Sequence, residues 1–397
     1  MSKVKFLDLG RQPIANGFLT KEELEKDDEF FFDLSLSVDE ETNLVSLTNF
    51  VEPEKMFNDN YHFHTSASPV MVDHFRRASR IAKDLNPKKV LEIGSNDGAF
   101  LKNFDTESAI CVEPCGNFAN HTREIGYTSY NQFWDTDVVE KILKEHGKQD
   151  LVYSANCMCH IEDVVGAFRN VEKVMSNDGV FIFEDPNLFF TLMRNSYDQV
   201  YDEHAHLFSC CSLVLLLRQA GLKMWKVEPL ENIHGGSCRI YAIKRNKSRE
   251  GIPPTFLQFE LSHGLGQTDK NDSIPWPYKI LAQNVEVSGK MLKDKLLVLK
   301  NQGKKIISYG ATSKSTTIFN YCKIGTKVID YITDTTDSKI GKFSPGMHIP
   351  IIAEGEGFNE SVDCAFLGAW NYKEAILNKH PDFEGRWITH VPEVHFV

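Results

Sequence analysis

The chain has 397 residues, of which 42% are apolar and 25% are charged, proportions typical of globular proteins and unlike those of disordered or collagen-like chains. Its 44 Lys and Arg against 55 Asp and Glu give a net charge of −11, which opposes nonspecific association with nucleic acid or anionic lipid. No apolar run has the length of a membrane span or a signal peptide, and the nine cysteines form no CxxC framework. We therefore expect a cytoplasmic protein with reduced thiols and two or three domains.

The first sixty residues predict a small β-rich lobe, because short apolar runs at 4–9, 30–36 and 44–50 alternate with turn and acidic residues. Apolar and small side chains then recur at helical spacing over residues 67–85. This spacing predicts a helix that ends before Pro87, since the residue before a proline disfavours the helical conformation.

From residue 88 onward, buried strands alternate with helices, which predicts a mostly parallel sheet covered by helices on both faces. The predicted strands are KVLEI, SAICVEP, LVYSAN and GVFIFEDP, and the turn after the first of them is expected to enter a helix. Residues 246–276 are rich in Pro, Lys and Asp and predict a linker. A long amphipathic helix and renewed strand–helix alternation follow the linker, as in KIISYGATSKS and VDCAFLGAWN.

The fold class expected from these patterns is α/β, with three parts in chain order. They are a β-rich lobe over residues 1–66, an α/β domain over residues 67–245 and a second α/β domain over residues 246–397. The sequence leaves the oligomeric state open between a monomer and a homodimer.

A glycine loop, ExGxxxG, follows the first strand of the α/β pattern. Its candidate ligand-binding residues are Glu92, Gly94, Asn96, Asp97 and Gly98. Glycines at such a turn let a ligand approach the backbone, although a plain strand-to-helix turn remains the alternative. The loop is not a dinucleotide G-x-G-x-x-G motif, because Asn96 replaces the second glycine and the spacing differs. The next strand ends in Glu113, a carboxylate placed to accept hydrogen bonds from two ribose hydroxyls.

The loop and the acid on the next strand together resemble the class I S-adenosylmethionine (SAM)-dependent methyltransferases. The resemblance implies a Rossmann-like parallel sheet and SAM as the cofactor. It places Phe133 of the YNQF segment over the adenine and Asn156, at the end of the LVYSAN strand, beside the methionine part of the cofactor.

A second polar cluster, Tyr201-Asp202-Glu203-His204, follows the strand GVFIFEDP. Polar side chains close to the carboxyl end of a sheet are where a catalytic base is expected, and a histidine can accept a proton near neutral pH. The alternative is a polar surface loop.

Around this cluster the chain resembles the sugar C-methyltransferases that act on nucleotide-linked 4-keto-deoxysugars. The segments that carry the resemblance, in chain order, are FLDLGRQPIANGFL, VEPEKMFNDNYHFHTSAS, YDQVYDEHAHLFS, IHGGSCRIYA, SYGATSKSTTIFNYCKIG, ITDTTDSKIGKFSPGMHIPI and GAWNYKEAI. One departure stands out. The family usually begins with a four-cysteine zinc site, whereas this chain has no cysteine before Cys111, so the sequence predicts no zinc in the lobe. A C-x-C-H run ending at His160 has poor spacing for a tetrahedral site, and we expect no metal there.

The resemblance implies C-methylation of a sugar carbon beside a ketone. In this interpretation His204 is the general base, and Glu203 and Tyr201 orient the sugar or stabilise the enolate. His160 faces the same site, and Tyr61 closes over the sugar.

The implied substrate is a nucleotide sugar, bound by the C-terminal domain, with no nucleic acid or membrane partner. Its diphosphate is expected to meet Lys314 in a strand-to-helix turn, with Arg239 and His234 as further candidates. Other readings of the chain are an O- or N-methyltransferase of another small metabolite, an NAD-dependent oxidoreductase, or a non-catalytic binding module.

Overall fold

The computed structural model describes residues 3–249, 255–267 and 274–397. Across these residues the strands form a four-stranded, a seven-stranded and a six-stranded sheet, one centred on each of the three expected parts of the chain. Among the helices in the described ranges, none combines the length and apolar character needed to cross a bilayer.

The N-terminal lobe is β-rich, as the alternating apolar runs predict. Its elements are β1 (Lys3–Pro13), α1 (Lys21–Lys26), β2 (Phe31–Asp39), β3 (Val45–Leu47) and α2 (Pro53–Met56). The three strands pair antiparallel, β1 with β2 and β2 with β3. Leu36, Val38 and Val45 are fully buried between this sheet and the rest of the molecule.

The central domain contains the predicted parallel sheet. Its elements are α3 (Pro69–Lys83), β4 (Val90–Ile93), β5 (Ala109–Val112), α4 (Gly116–Glu124), β6 (Thr128–Tyr130), α5 (Thr136–Glu145), β7 (Gln149–Ala155), α6 (Val164–Val174), β8 (Met175–Pro186), α7 (Leu188–Arg194), β9 (His206–Leu207), α8 (Cys210–Gln219), β10 (Leu222–Leu230) and β11 (Ser237–Lys244). The strand order is β10-β11-β8-β7-β4-β5-β6, parallel from β8 to β6, with β11 and β10 added antiparallel. The carboxyl ends of β4, β5, β7 and β8 therefore meet at one edge.

The prediction of a helix directly after the glycine loop is wrong. The loop is followed instead by a short 3₁₀ turn, Leu101–Asn103. Asn96 (φ +48°) and Gly98 (φ +76°) adopt left-handed backbone conformations, which a right-handed helix cannot include.

Strand β9 does not join the central sheet. It pairs antiparallel with β3 and completes the sheet of the N-terminal lobe, with Val45 opposite Leu207 and Ser46 opposite His206. We call residues 195–209, which lead from α7 through β9 to α8, the bridging segment. This segment contains the predicted base and its neighbours, so the lobe and the polar cluster are built on the same stretch of chain.

The C-terminal domain is a second α/β unit, as predicted. Its elements are α9 (Thr255–Ser262), α10 (Trp276–Asn301), β12 (Ile306–Tyr309), α11 (Ser313–Cys322), β13 (Ile332–Asp334), β14 (Ile351–Ala353), α12 (Glu354–Gly357), β15 (Cys364–Leu367), α13 (Lys373–Lys379), β16 (Arg386–Thr389) and β17 (His395–Phe396). The strand order is β14-β13-β12-β15-β16-β17, parallel except for β17.

The stretch predicted as a linker includes α9, which is anchored to the central domain. The buried carboxylate of Glu260 accepts hydrogen bonds from Asn187 Nδ2 and from the backbone N–H groups of Cys210 and Cys211, each at 3.0 Å. The prediction of a linker is therefore wrong for the residues that form α9. Residues 250–254 and 268–273 of the same stretch lie outside the described residues.

The N-terminal lobe shares its hydrophobic core with the C-terminal domain. Leu9 and Leu36 of the lobe belong to the same buried cluster as Leu281 of α10 and Ile318 of α11. At the edge of that cluster the ring of Phe6 stacks on Tyr278, with ring centroids 5.1 Å apart. Apolar packing thus supports a lobe that has no cysteines.

Shortening a core side chain of the lobe tests this contribution. Leu36→Ala is expected to lower the free energy of unfolding by about 2–5 kcal/mol, because it leaves a cavity in a fully buried site. Val287→Ala, at a position on α10 that is 56% exposed, is the control and should change it by no more than about 0.5 kcal/mol. Urea denaturation followed by circular dichroism measures both, and equal effects of the two substitutions would contradict a structural role for the lobe core.

Candidate functional site

A cavity of about 1110 Å³ lies where the three parts of the molecule meet. Asn16 and Tyr61 line it from the N-terminal side, His160 and His204 from the central domain, and Lys314 from the C-terminal domain. Pockets for one small molecule usually measure about 300–1000 Å³, so this cavity has room for a cofactor and a substrate together.

Most of the residues predicted from the sequence line this one cavity. They are Tyr61, Glu92, Gly94, Asn96, Glu113, Phe133, Asn156, His160, Tyr201, Glu203, His204, His234 and Lys314. Three others, Asp97, Gly98 and Arg239, do not line it.

Arg239 was expected near the diphosphate, but it lies within the central sheet. Its guanidinium pairs with Glu184 at 2.7 Å and with Glu228 at 3.1 Å, and the residue is 4% exposed. Because both carboxylates come from neighbouring strands, the charge of Arg239 is neutralised locally and cannot serve a ligand in the cavity.

The side chains of Asp97 and Asn96 form hydrogen bonds with residues 63–66 of the same chain. Asp97 accepts hydrogen bonds from the backbone N–H and the hydroxyl of Ser66, at 2.8 and 3.0 Å. The Asn96 side chain accepts from Thr65 N at 3.0 Å and donates to the carbonyl of Phe63 at 2.9 Å. These bonds fasten residues 57–68, which we call the strap, across the cavity. The expected cofactor-binding role of Asp97 and Gly98 is therefore not supported by their positions.

The other loop residues face the end of the cavity beside β4 and β5. Glu113 is buried, and its carboxylate accepts the backbone N–H groups of Asn96 and Cys115 at 2.7 and 2.9 Å. Burial raises the pKa of Glu113 and raises that of Glu92 well above its usual value. Glu92 Oε2 is buried without a hydrogen-bond partner, and such an atom fits a polar group of a bound ligand. Gly94 (φ +71°) has no room for a side chain, since a Cβ there would lie 2.7 Å from the Sγ atom of Cys157.

His204 is held in one tautomer. Its Nδ1 atom is 2.7 Å from the backbone carbonyl of Gln199, and a carbonyl can only accept, so Nδ1 carries the hydrogen. The Nε2 atom then accepts a hydrogen bond from the hydroxyl of Tyr201 at 2.8 Å. Burial, with the nearby His160 and Lys314, lowers the pKa of His204 well below its usual value and keeps the ring neutral.

The carboxylate of Glu203 is held from the N-terminal side. Tyr61 donates its hydroxyl to Oε2 at 2.9 Å, and Asn16 donates Nδ2 to Oε1 at 2.6 Å. Next to it, Asp202 accepts the backbone N–H of Ala15 at 2.8 Å. Asn16 was not singled out from the sequence, although it lies in the segment LGRQPIAN that carries part of the family resemblance.

The ring of His160 is stacked between two others. The centroids of Phe57 and His204 lie 5.3 and 5.5 Å from it, each ring tilted by 19°. The turn that carries His160 is held by Asp185, whose carboxylate accepts the backbone N–H groups of Cys157 and Cys159 at 3.1 and 3.4 Å. Burial lowers the pKa of His160 to about 3, so this ring is also neutral.

Cys159, His160 and His204 place their ligand atoms within 4.8 Å of one another, but their chemistry does not suit a metal. The two imidazole rings are stacked, so their in-plane lone pairs run side by side and do not converge on one point. The Nε2 atom of His204 already accepts a hydrogen bond. Burial raises the pKa of Cys159 well above its usual value, whereas zinc binds a thiolate.

The C-terminal domain supplies three lysines to the cavity lining, Lys314, Lys339 and Lys379, of which Lys379 pairs with Glu354. Lys314 is buried, and burial lowers its pKa while Asp198 and Glu203 oppose that shift. Lys339, which was not singled out from the sequence, donates to the carbonyl of Ala311 at 2.8 Å. It could have been found because its segment ITDTTDSKIGKF belongs to the same family pattern.

His234 reaches the cavity, but as a neutral group. Burial lowers its pKa to about 3, and its Nε2 atom is buried without a partner. It therefore cannot supply the positive charge that was expected of it near a diphosphate.

Three protein families match this chain in sequential order. Residues 1–57 match a putative zinc binding domain, residues 67–227 a methyltransferase domain and residues 232–392 a C-methyltransferase C-terminal domain. The first match covers the lobe that has no cysteines here.

The chain is also similar to individual known proteins. The chain is 28% identical over 398 residues to C-methyltransferase NovU of Streptomyces niveus, covering 98% of this chain and 92% of NovU. Among solved structures, the PH0226 protein of Pyrococcus horikoshii OT3 matches at 16% identity and a TM-score of 0.38, covering 50% of this chain and 100% of that one. The CcbJ methyltransferase of Streptomyces caelestis matches at 12% identity and a TM-score of 0.33, covering 43% and 89%.

The cofactor end of the cavity can be tested at Glu113. Glu113→Gln is expected to weaken S-adenosylhomocysteine binding about tenfold or more, because the amide cannot accept hydrogen bonds with both of its terminal atoms. The control is Glu107→Gln, at an exposed position outside the cavity lining, which should bind like the parent. Isothermal titration calorimetry measures the affinity of each variant for S-adenosylhomocysteine. If Glu113→Gln binds it as tightly as the parent does, Glu113 is not a cofactor-binding residue.

The purified protein is expected to contain no stoichiometric zinc, because the lobe has no thiols and the central cluster holds neutral, stacked groups. Elemental analysis by mass spectrometry measures the metal content. One equivalent of zinc per chain would contradict this expectation and direct attention to Cys157, Cys159 and His160.

Proposed function

We propose that this chain, a SAM-dependent C-methyltransferase, methylates the ring carbon beside the ketone of a nucleotide-linked deoxysugar. The observation that carries the proposal is the buried array of Tyr201, Glu203 and His204 in a cavity that Lys314 and Lys339 also line. Of the other readings of the sequence, the oxidoreductase and the binding module do not agree with the family matches over residues 67–392.

The chemistry requires a carbon nucleophile. SAM, when bound, supplies a methyl group already activated on a sulfonium. The protein must remove a proton from the carbon next to the ketone and stabilise the resulting enolate. His204 is assigned as the base, because its ring is neutral and its Nε2 atom is an acceptor. Glu203 is assigned to a sugar hydroxyl, and the strap residue Tyr61 holds it in place.

The cofactor residues keep the roles implied by the family. Glu113 would hold the ribose, Phe133 would lie against the adenine, and Gly94 and Asn156 would border the methionine part. All four line the cavity. The strap is hydrogen-bonded to the glycine loop, a position from which it would shield the reacting groups from water.

A nucleotide diphosphate suits the opposite side of the cavity. Lys314 and Lys339 place two amino groups on this side of the cavity, where in the charged form they would pair with the phosphate oxygens. Both lysines belong to the C-terminal domain, which is assigned to the nucleotide. The cytoplasmic location, the monomeric or dimeric state and the domain boundaries stay predictions.

The assignment of the base can be tested by replacing it. His204→Asn is expected to bind S-adenosylhomocysteine like the parent and to lower turnover by about 10²–10⁴-fold, the usual contribution of a general base. Glu203→Gln should lower turnover less, as expected of an orienting group. Turnover is measured by mass spectrometry with a thymidine-diphosphate-linked 4-keto-6-deoxysugar, and methylation at carbon is recognised by the loss of deuterium from the reacting position.

The control is His121→Asn, a substitution on α4 outside the cavity lining, which should leave turnover unchanged. Parental turnover in His204→Asn would exclude His204 as the base. A product methylated at oxygen or nitrogen, with deuterium retained at carbon, would contradict the proposed reaction.

A further inference from the structure

We infer that the hydroxyl oxygen of Tyr201 takes the proton from the sugar and at the same time passes its own proton to Nε2 of His204. The inference rests on the proposed function, since it concerns how the same carbon loses its proton. It changes the identity of the group that touches the sugar: Tyr201 becomes the catalytic residue in contact with the carbon, and His204 the group that finally holds the proton.

The lone pair of His204 is already occupied. The carbonyl of Gln199 fixes the hydrogen on Nδ1, so Nε2 is the acceptor atom of the ring, and the Tyr201 hydroxyl fills it at 2.8 Å. For His204 to take a proton directly from carbon, this hydrogen bond must first break. A relay through the tyrosine oxygen uses the bond as it stands.

Tyr201 is not free to swing aside. Its ring lies against that of His204, with centroids 4.1 Å apart, and its carbonyl accepts the backbone N–H of His204 at 3.0 Å. The residue is 8% exposed and lines the cavity, so its oxygen is confined at the cavity wall.

The surroundings of the Tyr201 hydroxyl oxygen suit a group that accepts one proton at the same time as it donates another. Burial and the nearby Glu203 raise the pKa of Tyr201 well above its usual value, so a free phenolate is disfavoured, while a hydrogen bond with Ser313 acts in the opposite direction. A concerted relay avoids the phenolate, because the oxygen gains one proton as it loses the other.

The neighbouring groups are less suited to receive the proton first. Glu203 is assigned to a sugar hydroxyl, and its hydrogen bonds from Asn16 and Tyr61 oppose the rise in its pKa that burial causes. The Nε2 atom of His160 has no hydrogen-bond partner among the described residues to which a proton could be passed on.

The relay is balanced in atoms and charge. The C–H bond beside the ketone breaks and its electron pair enters the enolate, while a new O–H bond forms on Tyr201. The original O–H bond of Tyr201 breaks and an N–H bond forms at Nε2 of His204. The resulting imidazolium still donates Nδ1–H to the carbonyl of Gln199, and Tyr201 is neutral before and after. No oxidant or reductant takes part.

Tyr201→Phe separates the relay from direct deprotonation by His204. The phenyl ring keeps the stacking but has no oxygen, so the relay predicts that exchange of solvent deuterium into the sugar falls by about 10²–10⁴-fold. Direct deprotonation predicts the opposite, because the substitution leaves Nε2 free for the sugar. Exchange is followed by NMR with a thymidine-diphosphate-linked 4-keto-6-deoxysugar and S-adenosylhomocysteine, so methyl transfer is not needed.

The matched control is Tyr197→Phe, which removes a hydroxyl from the same segment at a fully buried position outside the cavity lining and should exchange at the parental rate. Calorimetry with S-adenosylhomocysteine verifies that Tyr201→Phe is folded and binds like the parent. Parental exchange in Tyr201→Phe would overturn the relay and leave the proposed function standing. Absence of exchange in the parent itself would overturn the proposed substrate class, and the relay with it.

Discussion

The architecture of the candidate site depends on the cost of burying three carboxyl groups and one imidazole within seven residues of the bridging segment. An unpaired carboxylate or imidazolium in the interior costs several kcal/mol, so each acidic group needs a donor and the histidine is kept neutral. The segment cannot supply these donors itself. The buried groups are Asp198, Asp202, Glu203 and His204, and the donors to the acids are Trp370, Ala15, Asn16 and Tyr61. Because the donors come from both ends of the chain, the segment is stable only where all three parts of the molecule meet.

The sequence predicted the elements whose signal is local. Strand–helix alternation is visible within a few residues, so the parallel sheet of the central domain followed from it, and the loop with Gly94 followed from its position after the first strand. A catalytic base was expected close to the carboxyl end of a sheet, and the parallel strands β4, β5, β7 and β8 do bring their carboxyl ends to one edge. The strand–helix pattern could therefore predict which edge of the sheet carries the site, but not the side-chain contacts within it.

The errors at Arg239 and Asp97 share one physical cause, which is that a polar residue type does not reveal its partner. Arg239 and Asp97 have the chemistry expected of ligand-binding groups, yet Glu184 and Ser66 engage them. Asn16 was missed for the converse reason, since its partner Glu203 lies 187 residues away in the chain. The family resemblance brought the correct segments together, but the side-chain pairing within them required the three-dimensional structure.

Strand β9 has a consequence for how the chain is made. The lobe sheet pairs Ser46 with His206, 160 residues later, and at about 5–20 residues per second a ribosome needs about 8–32 s to synthesise that interval. The α10 side chains that complete the lobe core follow later still. During synthesis the first strands therefore wait with an open edge, the kind of surface that invites pairing with other chains. The earliest part of this protein to be translated is therefore among the last to reach its final form.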